Sequence, residues 1–431
     1  MRVYVTSLGC KLNQSEMDAL AAGLAQAGHQ VVTSPEEADL CVLNTCAVTH
    51  VAARKSRQAL RRLNRENPAA RLVATGCYAE LTPEDLRDLP GVERIVGNQD
   101  KEQLAALIGR ELAGLTAPSP VPHRPARTRA LVKIQDGCDN ACTYCIIHVA
   151  RGLQRSRPAD EVLAEVRARL AAGHQEIVLT GVHIGAYGRD QIPGPSEIDI
   201  TENNANLWSL LARILAETDV PRLRLSSIEP WDLSQNAFHL WDDSRLCRHL
   251  HLPLQSGSDA ILRRMNRHYT TAGFAGLVGA ARTAIPDLAV TTDVIVGFPG
   301  ETDIEFQESL DTVESMGFAR VHVFPYSPRP GTPAARMPNQ VSPPVKAERA
   351  RAMRAVAAAN TRAFQQQFVG REMEVLWERS RPGKNAPVWS GLTDNYLRVY
   401  TESSANLANC ITVTHLTGLT PGGLQGEIES P

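Results

Sequence analysis

The stretch Lys133–Cys145, KIQDGCDNACTYC, carries cysteines at 138, 142 and 145 in the spacing CxxxCxxC, with Tyr144 just before the last. It follows the short apolar run Leu131–Ile134, so the cysteines lie in a loop leaving the end of a strand. Iron–sulfur clusters are held by cysteine thiolates, and three in one loop suit three irons of a four-iron, four-sulfur cluster. Structural zinc takes four closed ligands, and ferredoxin-type clusters take four cysteines. A set of three leaves one iron open to a small molecule.

Working outward, short apolar runs alternate with helical patterns on the carboxyl side. Strands are expected at Leu131–Ile134, Glu176–Thr180, Arg222–Ser226, His249–Leu252, Leu288–Val296 and Arg320–Phe324. Helices are expected at Ala159–Ala172, Asp259–Met265 and Thr302–Ser315. Such a series predicts a partial or complete parallel barrel over 130–367, with its site at the carboxyl ends of the strands. The polar segment Gly188–Asn206 reads as a surface insertion.

On the amino side, residues 1–115 predict an open parallel α/β domain. Its strands would be Val3–Ser7, Leu40–Asn44, Leu72–Thr75 and Arg94–Val96, and its helices Ser15–Ala27, Val51–Arg65 and Lys101–Leu112. A linker at 116–129 contains Pro118, Pro120, Pro122 and Pro125. Lys346–Phe368 reads as one helix. Residues 368–431 then predict a small all-β domain with strands at Glu372–Trp377, Asn395–Tyr400 and Cys410–His415. The expected fold class is α/β with this β domain appended.

The 431 residues agree with about three domains at ~150 residues each. Lys and Arg total 45 against 47 Asp and Glu, a net of −2 that excludes a histone-like basic protein but not local basic patches. No apolar run reaches the ~18 residues of a membrane span, and MRVYVTSLGC lacks the apolar core of a signal peptide. A cytoplasmic protein with no membrane partner is expected. Its nine cysteines would stay reduced there, favouring ligands or catalysts over disulfides. Cys41, inside LCVLN, reads as core, and Cys247 and Cys410 as structural. No ligand is assigned among the twelve histidines.

The cysteine loop at the head of a barrel closely resembles the radical S-adenosylmethionine superfamily. The resemblance implies that Cys138, Cys142 and Cys145 hold a catalytic cluster whose open iron is chelated by S-adenosylmethionine. Electron transfer into the sulfonium then yields a 5′-deoxyadenosyl radical that takes hydrogen from an unactivated C–H bond. It also implies a cofactor-binding role for Tyr144 beside the adenine and for Gly181 at the methionine moiety. Ser227, Glu229, Gln255 and Asp293 are implied for the ribose and amino acid.

Cys10, Cys46 and Cys77 occur in SLGCKLNQSE, LNTCAVT and ATGCYAE, each just after a predicted strand. Carboxyl ends of parallel strands share one edge, so three distant residues can meet there. With the barrel motif they resemble the methylthiotransferase family, which pairs the radical cluster with a second, auxiliary four-iron cluster and ends in a TRAM-like domain. The resemblance spans essentially the whole chain. LGCKLNQSE, NTCAVT, IQDGCDNACTYCIIHVARGLQRSR and LTGVHIGAYG resemble the branch that modifies N6-threonylcarbamoyladenosine beside the anticodon of tRNA. The same chemistry on isopentenyladenosine or on a ribosomal protein, and an iron–sulfur RNA-binding or electron-transfer module, stay open as alternatives. The implied partners are the tRNA anticodon stem-loop, an electron donor such as flavodoxin or ferredoxin, and a sulfur donor the sequence does not specify.

RNA binding needs positive charge for the phosphates. From Phe368 to Pro431 there are five basic residues (Arg371, Arg379, Arg381, Lys384, Arg398) against seven acidic ones. Trp377, Trp389 and Tyr396 could still stack on bases there. Positive charge is denser at Arg54, Arg61, Arg62 and Arg65, and again at Arg151, Arg155 and Arg157, expected at the rim of the barrel mouth. Arg124, Arg127, Arg129 and Lys133 form a further patch.

Overall fold

A computed structural model describes residues 1–111, 128–191 and 206–428. Most of the expected linker and insertion, with Arg124 and Arg127, lies outside the described residues.

The amino-terminal domain runs β1 (Arg2–Ser7), α1 (Lys11–Gln26), β2 (Gln30–Val32), β3 (Leu40–Thr45), α2 (His50–Glu66), β4 (Arg71–Gly76), α3 (Cys77–Leu81) and β5 (Val92–Val96). All strands are parallel, in the order β2-β1-β3-β4-β5. β3, LCVLNT, is buried along its whole length, as a central strand covered on both faces requires. Only three residues long, β2 escapes a reading based on periodicity. In α2, Ala53, Leu60 and Leu63 face inward while arginines occupy the outer face, and the Thr49 side chain caps it by accepting from Ala52 N at 3.1 Å. β1, β3 and β4 are neighbours, so the chain leaves their carboxyl ends through Cys10, Cys46 and Cys77 along one edge.

The central domain comprises β6 (Arg129–Lys133), β7 (Glu176–Thr180), β8 (Arg222–Leu225), β9 (His249–His251), β10 (Ala289–Val296) and β11 (Arg320–Pro325). They pair in parallel as β6-β7-β8 and β9-β10-β11. Bridges Leu223–Leu246 and Ser227–His251 join the two groups into a partial barrel. α1 packs on β6, and a long helix, Pro343–Gln366, packs on β11, so both flanks are covered.

The carboxyl-terminal TRAM-like domain is a closed barrel of Glu372–Arg381, Val388–Thr393, Arg398–Glu402, Ile411–Thr420 and Gly423–Ile428. Two of its strands, Val388–Thr393 and Gly423–Ile428, were not expected. Glycines interrupt them because the barrel wall is tight: a Cβ at Gly391 would lie 2.5 Å from Val375 Cγ1. The expectation that Trp377, Trp389 and Tyr396 stack on bases is corrected. Both tryptophans are buried, Trp377 donating from Nε1 to Thr412 Oγ1 at 2.8 Å. Tyr396 stacks on His249 with ring centroids 4.5 Å apart and lies under the Arg224 guanidinium at 4.9 Å. Arg222 and Arg224 donate to Leu392 O and Asp394 O at 2.9 and 2.7 Å. This domain therefore docks on β8 and β9, and its aromatics serve that joint and the barrel core.

Candidate functional site

β6 delivers the chain to the cysteine loop, and α4 (Ile147–Arg151) carries it away. Gln135 locks the loop entrance: its Oε1 accepts from Val182 N and His183 N at 3.0 and 2.8 Å, while its Nε2 donates to Gly137 O at 2.7 Å. Gly137 has φ +70°, and a Cβ there would lie 1.9 Å from Leu153 O, so only glycine fits. Thr143 is held from both sides, its N donating to Met265 O at 3.1 Å and its O accepting from Ala334 N at 2.9 Å.

Each thiol of this loop has a polar neighbour. Arg267 Nη1 donates to Cys142 Sγ at 3.4 Å, Ile147 N donates to Cys145 Sγ at 3.4 Å, and His183 interacts electrostatically with Cys138. Such bonds to sulfur tune the potential of an iron–sulfur cluster. Burial pushes the Cys145 thiol up to about 12 and raises that of Cys142, against the pull of Arg267. Arg267 and His183 were not marked in the sequence, where nothing in RRMNRHY or GVHIG distinguishes them from surface residues. Arg267 is fixed by Glu229 and lies 4.6 Å over the Trp231 ring. His183 is fixed by Asp232.

The residues expected to bind the cofactor divide accordingly. Glu229 reaches the cluster loop through Arg267. Asp293 lies 3.4 Å from His251, Gln255 N donates to Asp293 O at 2.8 Å, and exposed Ser227 bridges to His251, so these three share one neighbourhood at the strand ends. Tyr144 packs against Ile261, Met265, Phe298, Tyr326 and Ala334. Gly181 has a packing reason within the protein, since a Cβ there would lie 2.8 Å from Gln135 O.

The second trio assembles at the edge of the first sheet. Gly9, with φ +96°, brings the Cys10 loop so near β3 that a Cβ would lie 2.6 Å from Cys46 Sγ. Cys46 is tied to α2 through Ser56, whose Oγ accepts from Cys46 N at 3.0 Å. Asn98 Nδ2 donates to Ala150 O at 2.6 Å and lies 3.9 Å from Cys77 Sγ. Cys10 keeps accessible surface, while the surrounding protein partly desolvates it and raises its thiol pKa. Burial pushes Cys46 up to about 11.

Arg151 is corrected most sharply. Expected at the rim, it is 3% exposed, and its guanidinium binds Glu16 Oε1 at 2.8 Å, Asp136 Oδ1 at 2.9 Å and Asn13 Oδ1 at 2.7 Å. It also faces the second trio electrostatically. Asn13 and Glu16 stand three and six residues after Cys10, on one face of α1, a signal that LGCKLNQSE contained. Arg157 is half-buried on Glu165 and Lys133 O, and Arg129 and Lys133 are likewise paired with carboxylates. Arg155, Arg54, Arg61, Arg62 and Arg65 are exposed. The last three line a groove with Lys55 and Leu8, two residues from Cys10.

Both trios suit iron–sulfur clusters. Their donors are thiols alone, and a four-iron cluster takes one thiolate at each of three irons.

The sequence matches the model of uncharacterized protein family UPF0004 over residues 2–97 and that of the radical SAM superfamily over 132–313. The second match implies one four-iron, four-sulfur cluster and S-adenosylmethionine. The chain is 39% identical to the threonylcarbamoyladenosine tRNA methylthiotransferase MtaB of Bacillus subtilis, over 91% of this chain and 88% of that protein. It is 37% identical to the protein of the same name from Thermotoga maritima, over 87% and 86%. Identity is 33% to the tRNA-2-methylthio-N(6)-dimethylallyladenosine synthase of Novosphingobium aromaticivorans, over 98% and 96%. The fold is shared with the radical S-adenosylmethionine methyltransferase TsrM of Kitasatospora setae, at TM-score 0.54 and 17% identity over 78% of this chain and 75% of that one. With two cysteine trios, a partial barrel and these relatives, the chain belongs to the radical S-adenosylmethionine methylthiotransferase family.

Proposed function

We propose that this enzyme converts N6-threonylcarbamoyladenosine beside the tRNA anticodon to its 2-methylthio derivative, using two four-iron, four-sulfur clusters. The observation that carries this is the joining of the trios: Arg151, six residues after Cys145, packs into the site of Cys10, Cys46 and Cys77. A base entering between them meets both. Bound there, the barrel cluster with S-adenosylmethionine would supply a hydrogen-abstracting radical and the auxiliary cluster a sulfur atom at its open iron.

The chain's own residues hold and orient. Cys138, Cys142 and Cys145 would bind the first cluster, with Arg267 and the Ile147 amide donating to the sulfurs of Cys142 and Cys145 and His183 beside Cys138. Cys10, Cys46 and Cys77 would bind the second, with Arg151 offsetting its negative charge. Tyr144, Gly181, Ser227, Glu229, Gln255 and Asp293 are proposed around S-adenosylmethionine. Arg54, Arg61, Arg62, Arg65 and Arg155 would take the phosphates of the anticodon stem-loop while the base is flipped from its stack. An external reductant such as flavodoxin or ferredoxin, a sulfur donor and a second S-adenosylmethionine, which gives its methyl group to the inserted sulfur, complete the reaction, which takes place in the cytoplasm. Among the described residues no helix is long and apolar enough to cross a membrane.

The branch-specific words and the relatives with threonylcarbamoyl in their names favour that base over isopentenyladenosine. The test is anaerobic reaction of reconstituted enzyme with anticodon stem-loops carrying one or the other, followed by nucleoside analysis. Methylthiolation of the isopentenyl RNA alone would overturn the substrate and leave the two-cluster arrangement standing.

A further inference from the structure

Six arginines are buried among the described residues: Arg151, Arg222, Arg224, Arg267, Arg329 and Arg349. Five have carboxylate or carbonyl partners. Arg329 is the exception. It is 7% exposed, and its Nε and Nη1 are buried without a hydrogen-bond partner. Isolated buried charge is costly, and a native site keeps it where something outside the chain completes it.

Its place in the fold indicates what that is. Arg329 lies in the loop after β11, where Ser327 Oγ accepts from His50 N at 3.2 Å at the start of α2. Five residues on, Ala334 N donates to Thr143 O of the radical-cluster loop at 2.9 Å. A Cβ on Gly331 would touch Ile146 Cδ1 at 3.9 Å. The Arg329 backbone is fixed by Thr332, whose Oγ1 donates to Arg329 O at 2.8 Å. Its guanidinium faces Tyr78 and Cys46, at the second trio. The loop thus spans the two cysteine sites, and the unsatisfied fork stands at the junction where the proposed base would enter. A guanidinium presents its N–H groups in a plane that matches a carboxylate or phosphate with two parallel bonds.

We propose that Arg329 receives an oxyanion of the RNA substrate, either the threonyl carboxylate of the modified adenosine or a backbone phosphate beside it. This rests on the tRNA reading above and adds to it the residue that recognises the substrate's charge. The free protein then holds an unsatisfied donor set that substrate binding completes.

The test uses full-length, cluster-reconstituted wild type, Arg329→Gln and Arg329→Lys. Anticodon stem-loops carry N6-threonylcarbamoyladenosine, its neutral carboxamide analogue or unmodified adenosine, and iron content and thermal unfolding are measured alongside. Arg329→Gln is expected to weaken binding about 10- to 100-fold, the range for a charged hydrogen bond. Its unfolding temperature should be unchanged or higher, because a buried unpaired charge has been removed. Arg329→Lys should recover part of the affinity. A loss confined to the carboxylate-bearing RNA supports the threonyl group as the source; an equal loss on all three RNAs, with a shallower salt dependence, supports a phosphate. The proposal is overturned if Arg329→Gln binds every RNA as wild type does. It is equally overturned if affinity falls only together with iron content and unfolding temperature, since Arg329 would then be serving the cluster. Wild type that binds these RNAs through Arg329 but modifies none would refute the substrate reading and leave this one intact.

Discussion

Arg151 Nη1 lies 2.8 Å from Glu16 Oε1, across the boundary between the cysteine loop of the barrel and the helix that follows Cys10. Both side chains are almost wholly buried, and Lys101 Nζ and Asn44 Nδ2 approach the other Glu16 oxygen at 2.8 and 2.9 Å. The pair therefore fixes the distance between the two cysteine sites as well as the packing of the two domains.

Arg151→Ala should lower stability by up to about 3–5 kcal/mol, because it leaves two buried carboxylates, Glu16 and Asp136, with only Lys101 and Lys133 to offset them. Chemical denaturation measures this. The same variant should leave the salt dependence of RNA binding unaltered, in contrast to a phosphate contact. A shallower salt slope would return Arg151 to the RNA interface.

Glu16 also makes a pH prediction. Burial alone would raise its carboxyl pKa, but Arg151 and Lys101 outweigh burial and hold it well below the carboxylate range. A folded value below the unfolded ~4.3 gives stability that is present above that pH and lost as pH falls through and below it. Glu16→Gln should therefore be less stable near neutrality and show a shallower loss of stability between about pH 5 and pH 2. Matching acid limbs for the two proteins would show that the carboxylate is not held in this way.

The two trios have separate ligands, so Cys138, Cys142 and Cys145 changed together to Ala should retain about half the iron. The Cys10, Cys46 and Cys77 variant should still cleave S-adenosylmethionine reductively while forming no methylthio product. Iron analysis and product chromatography check both. Normal product from Cys46→Ala would exclude its proposed role.

On α2, Arg61, Arg62 and Arg65 are exposed beside a groove that reaches Leu8. Changing all three to Gln should weaken stem-loop binding. The slope of log K against log salt should shrink in magnitude by up to about 3, near 0.9 for each phosphate that is no longer neutralised. Cleavage of S-adenosylmethionine without RNA should be unchanged. An unaltered slope would move the RNA path off this helix.

Arg267→Lys should shift the potential of the barrel cluster downward, since it removes a planar donor from Cys142 Sγ. Potentiometric titration of a protein carrying only that cluster would detect the change, and an identical potential would assign Arg267 to packing alone.

The cysteine spacing at 138, 142 and 145, the strand–helix alternation around it and the placing of Cys10, Cys46 and Cys77 after strands were legible in the chain, because they depend on local spacing and a period of two or 3.6 residues. The TRAM-like barrel was half legible: strands broken by Gly391 or Gly426 have no apolar alternation to read, and glycine there answers a neighbour across the barrel. Arg151, Arg155 and Arg157 look alike in sequence, and only tertiary structure separated them, burying the first, exposing the second and pairing the third. The reason is that charge is a property of one residue, while burial and partnership depend on chain distant in sequence. Glu16 completes Arg151, whereas nothing among the described residues completes the Nε and Nη1 of Arg329. The sequence by itself determined the chemistry available to this protein; its folding decided which charges face the substrate and which hold the two sites together.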